Sequence, residues 1–222
     1  MTVADPTLRV EHRLQREGVE FVIGCDEVGR GAIAGPVAVG MSLIDTRRRK
    51  LLPGLRDSKM LSEPRREELA PVTRSWVRYW SVGLATALEI DTIGIMAALG
   101  LAGARAMRQL MDAGAPVSEA VVLLDGSHDW LSAPVAAETG PGPRVMTRVK
   151  ADRDCASVAA ASVIAKVHRD RMMIDADEVI PGYLWASNKG YASSEHYAAI
   201  NELGPSELHR HTWLHKAQPT LF

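Results

Sequence analysis

The sequence lacks several features that would assign it to a specialised class of protein. It contains only two cysteines, Cys25 and Cys155, too few for a disulfide framework or a thiolate zinc site, so we expect both to fill the core in a reducing compartment. No apolar run approaches the roughly 18 residues of a membrane span, and the charges within residues 1–18 exclude a secretory signal. We therefore expect a cytoplasmic protein without membrane insertion.

The sequence also lacks a net charge of either sign. Its 26 Lys and Arg residues balance 27 Asp and Glu residues, for a formal net charge of -1. A nucleic-acid partner therefore has no global signature and must be argued from local charge. The length of 222 residues and the 46% share of hydrophobic residues favour one domain with one core, which we expect to be a monomer.

The first half of the chain contains three apolar or alternating runs that are typical of strands. They span residues 19–25, 37–44 and 76–84, each bounded by turn-forming or charged residues. Because the three strands follow one another without a helix in between, they predict an antiparallel meander.

The second half changes to helical spacing. A helix beginning at Asp91 or Thr92 precedes a buried strand at 120–124, which predicts a parallel crossover. A short strand at 144–149 and an alanine-rich helix at 154–173 follow. This order predicts an α/β fold other than the doubly wound sheet, which would need a helix between its first strands.

Four acidic residues lie where these strands end. Asp26 and Glu27 follow the first strand, Asp125 ends the buried strand, and Asp152 follows the short one. A single acid at a strand end is usually a solvated turn former, but four carboxylates on one side of a sheet would repel one another unless they bound divalent cations. Oxygen ligands favour Mg²⁺ or Mn²⁺. Because consecutive strand side chains alternate, Asp26 and Glu27 can share a site only if the strand bends or ends between them.

A glycine-rich loop runs from Gly29 to Gly35. Its spacing is similar to that of a dinucleotide-binding loop, which would suit an oxidoreductase, but Pro36 and the β-branched run after it predict a strand where such a loop opens a helix. The glycines would instead let the backbone approach a nucleic acid closely, and Arg30, between Gly29 and Gly31, would supply charge.

Residues 144–171 carry a local excess of positive charge. The basic residues are Arg144, Arg148, Lys150, Arg153, Lys166, Arg169 and Arg171, and the acidic ones are Asp152, Asp154 and Asp170. Beside the acidic cluster, this excess predicts a phosphate-binding rim. We expect Asp170 to form a surface ion pair with its two arginine neighbours rather than to bind metal. His209, His211 and His215 lack an obvious fourth ligand, so we expect no metal site there.

Several motifs, in order along the chain, resemble those of the ribonuclease HII family. They are Gly24 to Gly31, Asp57-Ser58-Lys59, Asp125-Gly126, Lys150-Ala151-Asp152, Ala159 to Asp170, Lys189-Gly190-Tyr191 and His209-Arg210. The resemblance covers residues 19–214, with modest departures at Met60 and Ala151. It implies a ribonuclease H-like fold, a mixed central sheet flanked by helices. The implied parts are an N-terminal extension (1–18), a catalytic domain (19–179), a C-terminal substrate-binding cap (180–214) and a tail (215–222).

The same resemblance implies the site and the activity. The metal-binding and catalytic acids would be Asp26, Glu27, Asp125 and Asp152, and the substrate-binding residues Gly29, Arg30, Gly31, Lys59 and Tyr191. With Mg²⁺ or Mn²⁺, such an enzyme hydrolyses the RNA strand of RNA/DNA hybrids and cuts 5′ to a ribonucleotide in duplex DNA by two-metal-ion catalysis. The products carry 3′-hydroxyl and 5′-phosphate ends. A non-catalytic nucleic-acid-binding module is the alternative.

The last five residues suggest a protein partner. Gln218, Leu221 and Phe222 have the spacing Gln-x-x-Leu-Phe, which resembles the short peptide that binds the bacterial sliding clamp. In such a peptide two apolar anchors enter a pocket and the glutamine amide bonds at its rim. The alternative is that Leu221 and Phe222 fold back onto the core.

Overall fold

A computed structural model describes residues 5–45 and 50–214, which contain a five-stranded mixed sheet. The strands are β1 (Phe21–Val28), β2 (Val37–Asp45), β3 (Tyr79–Ala85), β4 (Ala120–Asp125) and β5 (Arg144–Arg148). Their order across the sheet is β3-β2-β1-β4-β5. The pairs β1–β2 and β2–β3 are antiparallel, whereas β1–β4 and β4–β5 are parallel. The predicted antiparallel pairing of the first three strands and the parallel crossover are confirmed. The expectation that no helix separates these strands was wrong, because a helix at Glu63–Trp76 lies between β2 and β3.

Helices cover both faces of this sheet. They are α1 (Arg9–Arg16), α2 (Glu63–Trp76), α3 (Ala87–Ile93), α4 (Ile95–Asp112), α5 (Ser132–Thr139), α6 (Ala151–Asp154), α7 (Ala156–Val179), α8 (Trp185–Asn188) and α9 (Ser194–Leu203). No helix among the described residues is long and apolar enough to cross a membrane.

Three helix boundaries differ from the sequence prediction. The run at 76–84 is not all strand, because Trp76 ends α2 and β3 begins at Tyr79. The helix expected from Asp91 is two helices, because Thr86 and Glu89 form a capping box that starts α3 earlier, and Gly94, with φ +79°, separates it from α4. The helix expected at 154–173 continues to Val179.

Two layers of buried apolar side chains hold the helices to the sheet. On one face Ile23 and Val122 pack with Leu99 of α4, and on the other Val22 packs with Ile164 of α7. A Cβ added at Gly24 would lie 2.1 Å from the Ser157 carbonyl carbon. Only glycine therefore lets the start of α7 approach β1 so closely, and this brings residues just before α7 to the edge of the sheet.

A third, smaller layer joins the chain after α7 to the loop between β1 and β2. Ile33 and Ala34 pack with Met173, Tyr183 and Trp185. Backbone bonds reinforce the contact, since the amides of Ile33 and Ala34 both donate to the carbonyl of Gly190, at 2.9 and 3.1 Å. The C-terminal segment is thus bound directly to the glycine-rich loop, while the domain boundaries given above stay a prediction.

Candidate active site

Three of the four predicted acids meet at one edge of the sheet. Carboxylate oxygens of Asp26, Asp125 and Asp152 all lie within 4.8 Å of one another, and we call these residues the carboxylate cluster. Asp26 belongs to β1 and Asp125 is the last residue of β4. Because β1 and β4 are parallel neighbours, their carboxyl ends deliver both side chains to the same edge.

Asp152 reaches the cluster from a helix rather than from the end of a strand. Lys150 has φ +61° and redirects the chain after β5, so that Asp152 lies in the short helix α6. The amide of Ala151 donates to Asp125 Oδ1 at 2.7 Å. Asp152 does follow β5 along the chain, as predicted, but a short helix carries it, and Asp125 itself fixes that helix.

Glu27 lies beside the cluster and not within the group of three. Strand β1 continues through Val28, so no strand end separates Asp26 from Glu27. The Glu27 carboxylate is 3.5 Å from Arg30 Nη1, and its side chain is 19% exposed. Burial raises the pKa of Glu27, Arg30 opposes this shift, and the charge of Asp125 adds to it. Its role as a metal ligand stays a prediction.

The cluster concentrates negative charge where water is scarce. Asp26 is 1% exposed and its Oδ2 atom is buried without a hydrogen-bond partner. Burial raises its pKa well above the usual range, and the charge of Glu27 raises it further. Burial and the charge of Asp152 likewise raise the pKa of Asp125. Asp26 therefore has a buried oxygen that no hydrogen-bond donor reaches, and two more carboxylates lie beside it. Such a group of oxygen ligands suits a hard divalent cation, which would satisfy the unpaired oxygen.

Lys59 is the cation that the chain itself places at the cluster. Its Nζ atom lies 3.4 Å from Asp152 Oδ2, and its side chain is 69% exposed. Burial lowers the pKa of Lys59, but the charges of Asp26, Asp57 and Asp152 outweigh it and the pKa is raised. Lys59 therefore stays charged, at an exposed position beside the acids.

Two buried arginines hold the loop next to the cluster: Arg169, which we expected in the basic rim, and Arg210, for which the sequence predicted no role. Arg210 donates to the carbonyls of Gly29 at 2.6 Å and of Arg30 at 2.8 Å. Arg169 donates to the carbonyls of Ala34 at 3.0 Å and of Pro36 at 2.8 Å. Both arginines are fully buried. We call residues 29–36 the glycine-arginine loop, and its backbone is fixed from beneath by these guanidinium groups.

The loop ends in a strand, as predicted. Pro36 is followed at once by β2, which begins at Val37, so no helix N-terminus faces the glycines. This finding removes the dinucleotide-binding alternative, because that chemistry needs the helix.

Tyr191 stands next to the same loop. Lys166 Nζ and the guanidinium carbon of Arg169 each lie 5.5 Å from the centroid of its ring. Its backbone carbonyl accepts a hydrogen bond from His196 Nδ1 at 2.9 Å. The ring is partly exposed, so the two cations orient it without covering it.

The predicted basic rim is largely neutralised by its own neighbours. Arg148 and Arg153 pair with Asp154, and Arg171 pairs with Glu67. Arg169 is buried beneath the loop. A simple count of charges along the chain therefore overstates the positive surface on α7.

Asp170 is not the surface residue that we expected. It is 3% exposed, and its partners are Lys166 at 2.6 Å and Arg66 at 3.6 Å rather than its sequence neighbours. The helical spacing of four residues puts Lys166 beside it, and α2 supplies Arg66. Asp170 forms a buried ion network and lies outside the carboxylate cluster.

The remaining predictions concern the two cysteines, the C-terminal histidines and the tail. Cys25 and Cys155 are buried free thiols, as expected of core fillers. No group of metal-binding side chains within residues 5–45 and 50–214 includes His209 or His211; His215 and the tail residues Gln218, Leu221 and Phe222 lie outside the described residues.

Solved structures with the same fold identify the class of protein. An archaeal ribonuclease HII from Archaeoglobus fulgidus, in a complex with PCNA, matches with a TM-score of 0.69 and 29% identity over 90% of this chain and 98% of that one. Bst-RNase HIII in complex with Mn²⁺ matches with a TM-score of 0.66 at 22% identity, over 90% of this chain and 67% of that one, and shares the fold. The fold and the acidic site define a metal-dependent ribonuclease of the ribonuclease H type.

The amino-acid sequence narrows this class to one family. The family model described as Ribonuclease HII matches residues 23–216. The ribonuclease HII of Streptomyces griseus is 46% identical over 217 residues, which is 96% of this chain and 86% of that protein. The chain belongs to the ribonuclease HII family. It is therefore a nucleic-acid hydrolase that depends on divalent metal, and the alternative of a non-catalytic module is set aside.

Proposed function

We propose that the enzyme cuts the RNA strand of RNA/DNA hybrids and the phosphodiester 5′ to a ribonucleotide embedded in duplex DNA, leaving 3′-hydroxyl and 5′-phosphate ends. One observation carries this proposal. The carboxylate cluster, with a buried Asp26 oxygen that lacks a donor, lies beside a loop whose backbone is fixed by two buried arginines. Hydrolysis and recognition of a single nucleotide can therefore take place at adjoining positions.

We further propose that Asp26, Glu27, Asp125 and Asp152 hold two Mg²⁺ or Mn²⁺ ions. Such ions would supply an activated water and would stabilise the leaving oxygen of the phosphodiester. The chain's own contribution is to keep the acids together: Asp125 accepts from the amide of Ala151 and so places Asp152, while Glu27 is held by Arg30. Lys59 contributes a charge that can contact a substrate phosphate near Asp152.

Recognition of the ribonucleotide is assigned to Gly29, Arg30, Gly31 and Tyr191. A 2′-hydroxyl is both a donor and an acceptor, so a backbone segment in a fixed conformation can distinguish it from the hydrogen of deoxyribose. The bonds from Arg210 hold the carbonyls of Gly29 and Arg30 in place. The partly exposed ring of Tyr191 would then stack on the following deoxyribose.

The test is a gel assay on a duplex that carries one ribonucleotide, with and without Mg²⁺ or Mn²⁺. We expect one cut, 5′ to the ribonucleotide, that requires the metal, and none on the all-DNA duplex. Tyr191→Phe should keep most binding, whereas Tyr191→Ala should lose cleavage of this duplex with its melting temperature unchanged. Cutting on the 3′ side, or a Tyr191→Ala variant that melts early and cuts normally, would contradict the assignment.

We also propose that the tail at residues 218–222 binds the bacterial sliding clamp through Gln218, Leu221 and Phe222. The archaeal relative in a complex with PCNA supports a clamp as the kind of partner, and tethering would raise the local concentration of the enzyme on new DNA. Deleting residues 218–222 should abolish capture by immobilised clamp and leave cleavage of free duplexes unchanged. A deletion that unfolds the enzyme would show that the tail packs on the core.

A further inference from the structure

The N-terminal helix borders a groove of about 620 Å³ that none of the proposed roles uses. Its lining includes Arg9, Arg13 and Arg16 of α1, together with Arg148 and Asp154 from the other wall. We call this the basic groove. The three α1 arginines recur at spacings of four and three, so they share one face of the helix, opposite the face on which Glu11 and Leu14 are buried.

The helix that carries these arginines is fixed to the element that carries Asp152. The amide of Thr7 donates to the Asp154 carbonyl at 3.1 Å, and the amide of Ala156 donates back to Thr7 at 3.1 Å. Buried Glu11 accepts from the amide and the hydroxyl of Ser157, at 2.9 and 2.8 Å. Helix α1 therefore keeps one position relative to α6 and to the start of α7.

The other wall of the basic groove adjoins the carboxylate cluster. Arg148 is the residue of β5 that pairs in register with Asp125 of β4. Asp154 follows Asp152 by two residues within the same short helix α6. The groove and the cluster therefore share the end of β5 and the short helix α6 as neighbouring structural elements.

The charge balance of the groove is positive after its own ion pairs are taken into account. Asp154 is shared by Arg148 at 2.9 Å and Arg153 at 3.2 Å, and Asp5 pairs with Arg56. Among the residues that the structure describes, Arg9 and Arg16 form no ion pair, and Arg13 reaches Glu17 only at 3.9 Å. In a chain whose formal net charge is -1, α1 thus presents to the same groove two guanidinium groups that have no ion pair among the described residues.

We propose that the basic groove binds the phosphodiester backbone of the duplex substrate, at phosphates beyond the one that is cut. Guanidinium groups match phosphate oxygens geometrically and remain charged at every pH of interest. Contacts of this kind position a nucleic acid without reading its sequence. The inference rests on the proposed function, because it takes the same duplex and extends its path from the cluster to α1.

The experiment measures salt dependence of binding rather than cleavage. The test variant is Arg9→Gln/Arg16→Gln. The matched control is Arg78→Gln/Arg108→Gln, because Arg78 lies just before β3, at the opposite edge of the sheet, and Arg108 bonds the Glu138 carbonyl. Binding of a fluorescent duplex with one ribonucleotide is followed by anisotropy in EDTA, from about 50 to 200 mM salt. A third variant, Arg9→Lys/Arg16→Lys, keeps the charge.

We expect the slope of log K against log salt to fall by about 0.9 for each lost phosphate contact, or about 1.8 for the test variant. If the lines converge near 1 M salt, this corresponds to about 60-fold weaker binding at 0.1 M. The control and the lysine variant should keep the wild-type slope, and the test variant should show a raised KM with kcat preserved. Equal slopes for wild type and test variant would overturn the proposal, as would an equal loss in the control.

A failure of the proposed function would give a different result from a failure of the groove proposal. In that case the wild-type enzyme would not cut the duplex in Mg²⁺ or Mn²⁺, while the anisotropy slopes would still report on the groove. If the test variant melts early, single variants Arg9→Gln and Arg16→Gln decide the question, each with an expected slope change of about 0.9. Unchanged slopes in both folded single variants would also overturn the proposal.

Discussion

The carboxylate cluster and the neighbouring glycine-arginine loop differ in whether their buried polar groups have hydrogen-bond partners. In the cluster, like charges are crowded together and Asp26 Oδ2 has no donor. In the loop, the buried guanidinium groups of Arg210 and Arg169 donate to the carbonyls of Gly29 and Ala34. An unsatisfied site leaves room for a cation, whereas a satisfied one fixes a conformation. Under the roles proposed above, catalysis and recognition place opposite demands on stability within one site.

The strongest test of this difference between the cluster and the loop is a substitution at Asp26, where we expect the largest effect. Asp26→Asn should reduce cleavage on the order of 10³-fold or more, because a metal ligand supplies several kcal/mol of transition-state stabilisation. The same substitution removes a buried charge from a repulsive cluster, so the melting temperature in EDTA should hold or rise. Gel assays and thermal melts of one preparation measure both. A variant that cuts normally, or that melts well below wild type, would contradict this account of the cluster.

At the loop, Arg210 tests the opposite expectation. Arg210→Met should lower the free energy of unfolding by about 3 kcal/mol, because it removes the guanidinium donors from the carbonyls of Arg30 and Gly35. The carbonyl of Gly29 would also lose this donor and keep the amide of Ala32. Cleavage next to a single ribonucleotide should fall more than cleavage of a long RNA/DNA hybrid, where a loosened loop has many nucleotides to engage. Urea unfolding gives the first quantity and paired rate measurements the second. Arg210→Lys should recover part of both, and an unchanged rate ratio would argue against a positioning role.

Asp170→Asn sharpens the contrast with Asp26, because the same chemical change is made in a paired acid. Here Lys166 and Arg66 would lose their shared partner, and we expect a loss of about 2 to 3 kcal/mol in unfolding free energy with cleavage retained. Denaturant titrations on both amide variants give the comparison directly. Loss of turnover in a folded Asp170→Asn variant, with Asp152→Asn active, would move the metal site away from the cluster.

The effect that is smallest for a change of one pH unit, at most about 1.4 kcal/mol, concerns the segment that supports the loop. Burial lowers the pKa of His209 to about 4 from the usual 6.5, and the neighbouring His196 adds to the shift. The amide of Ser206 donates to His209 Nδ1 at 2.9 Å, so the folded state holds this histidine neutral. As the pH falls, His209 is therefore protonated in the unfolded chain at a higher pH than in the folded protein.

Stability from this source is complete above about pH 6.5 and falls between there and pH 4, by at most about 1.4 kcal/mol per pH unit. Chemical denaturation at a series of pH values should show this slope in wild type and a flatter one in His209→Asn. Parallel curves for the two proteins would assign the acid sensitivity to other groups.

Much of this fold can be predicted from the sequence, and the elements that were not predicted have physical reasons for it. Strands β1, β2 and β4 are continuous apolar runs, which the pattern of burial makes easy to find. Helix α2 was missed because it begins with a charged stretch, Glu63 to Glu68, and contains Pro71. Neither feature is typical of a helix packed on a core.

The candidate site likewise has a part that the sequence predicts and a part that it does not. The acids could be found because metal chemistry restricts the residue type, but the placement of Asp152 on a helix depends on the left-handed conformation of Lys150, which no spacing rule reports. Arg169 and Arg210 bind backbone carbonyls, and carbonyls are the same in every residue. The hydrogen bonds themselves therefore do not restrict the residue type; the restriction is steric, since a Cβ added at Gly29 would lie 2.0 Å from Arg169 Nε.

The bonds from Arg210 to Gly29 join residues that are 181 positions apart in the chain. During translation, the strands that carry Asp26 and Asp125 leave the ribosome long before the guanidinium that fixes the loop. A nascent chain can therefore assemble its acidic edge while the glycine-arginine loop still lacks the bonds that hold it. We expect residues 29–36 to be protease-sensitive in ribosome-bound chains stalled before residue 210 and to be protected in the completed, released chain, so that the loop takes its fixed conformation only as synthesis ends.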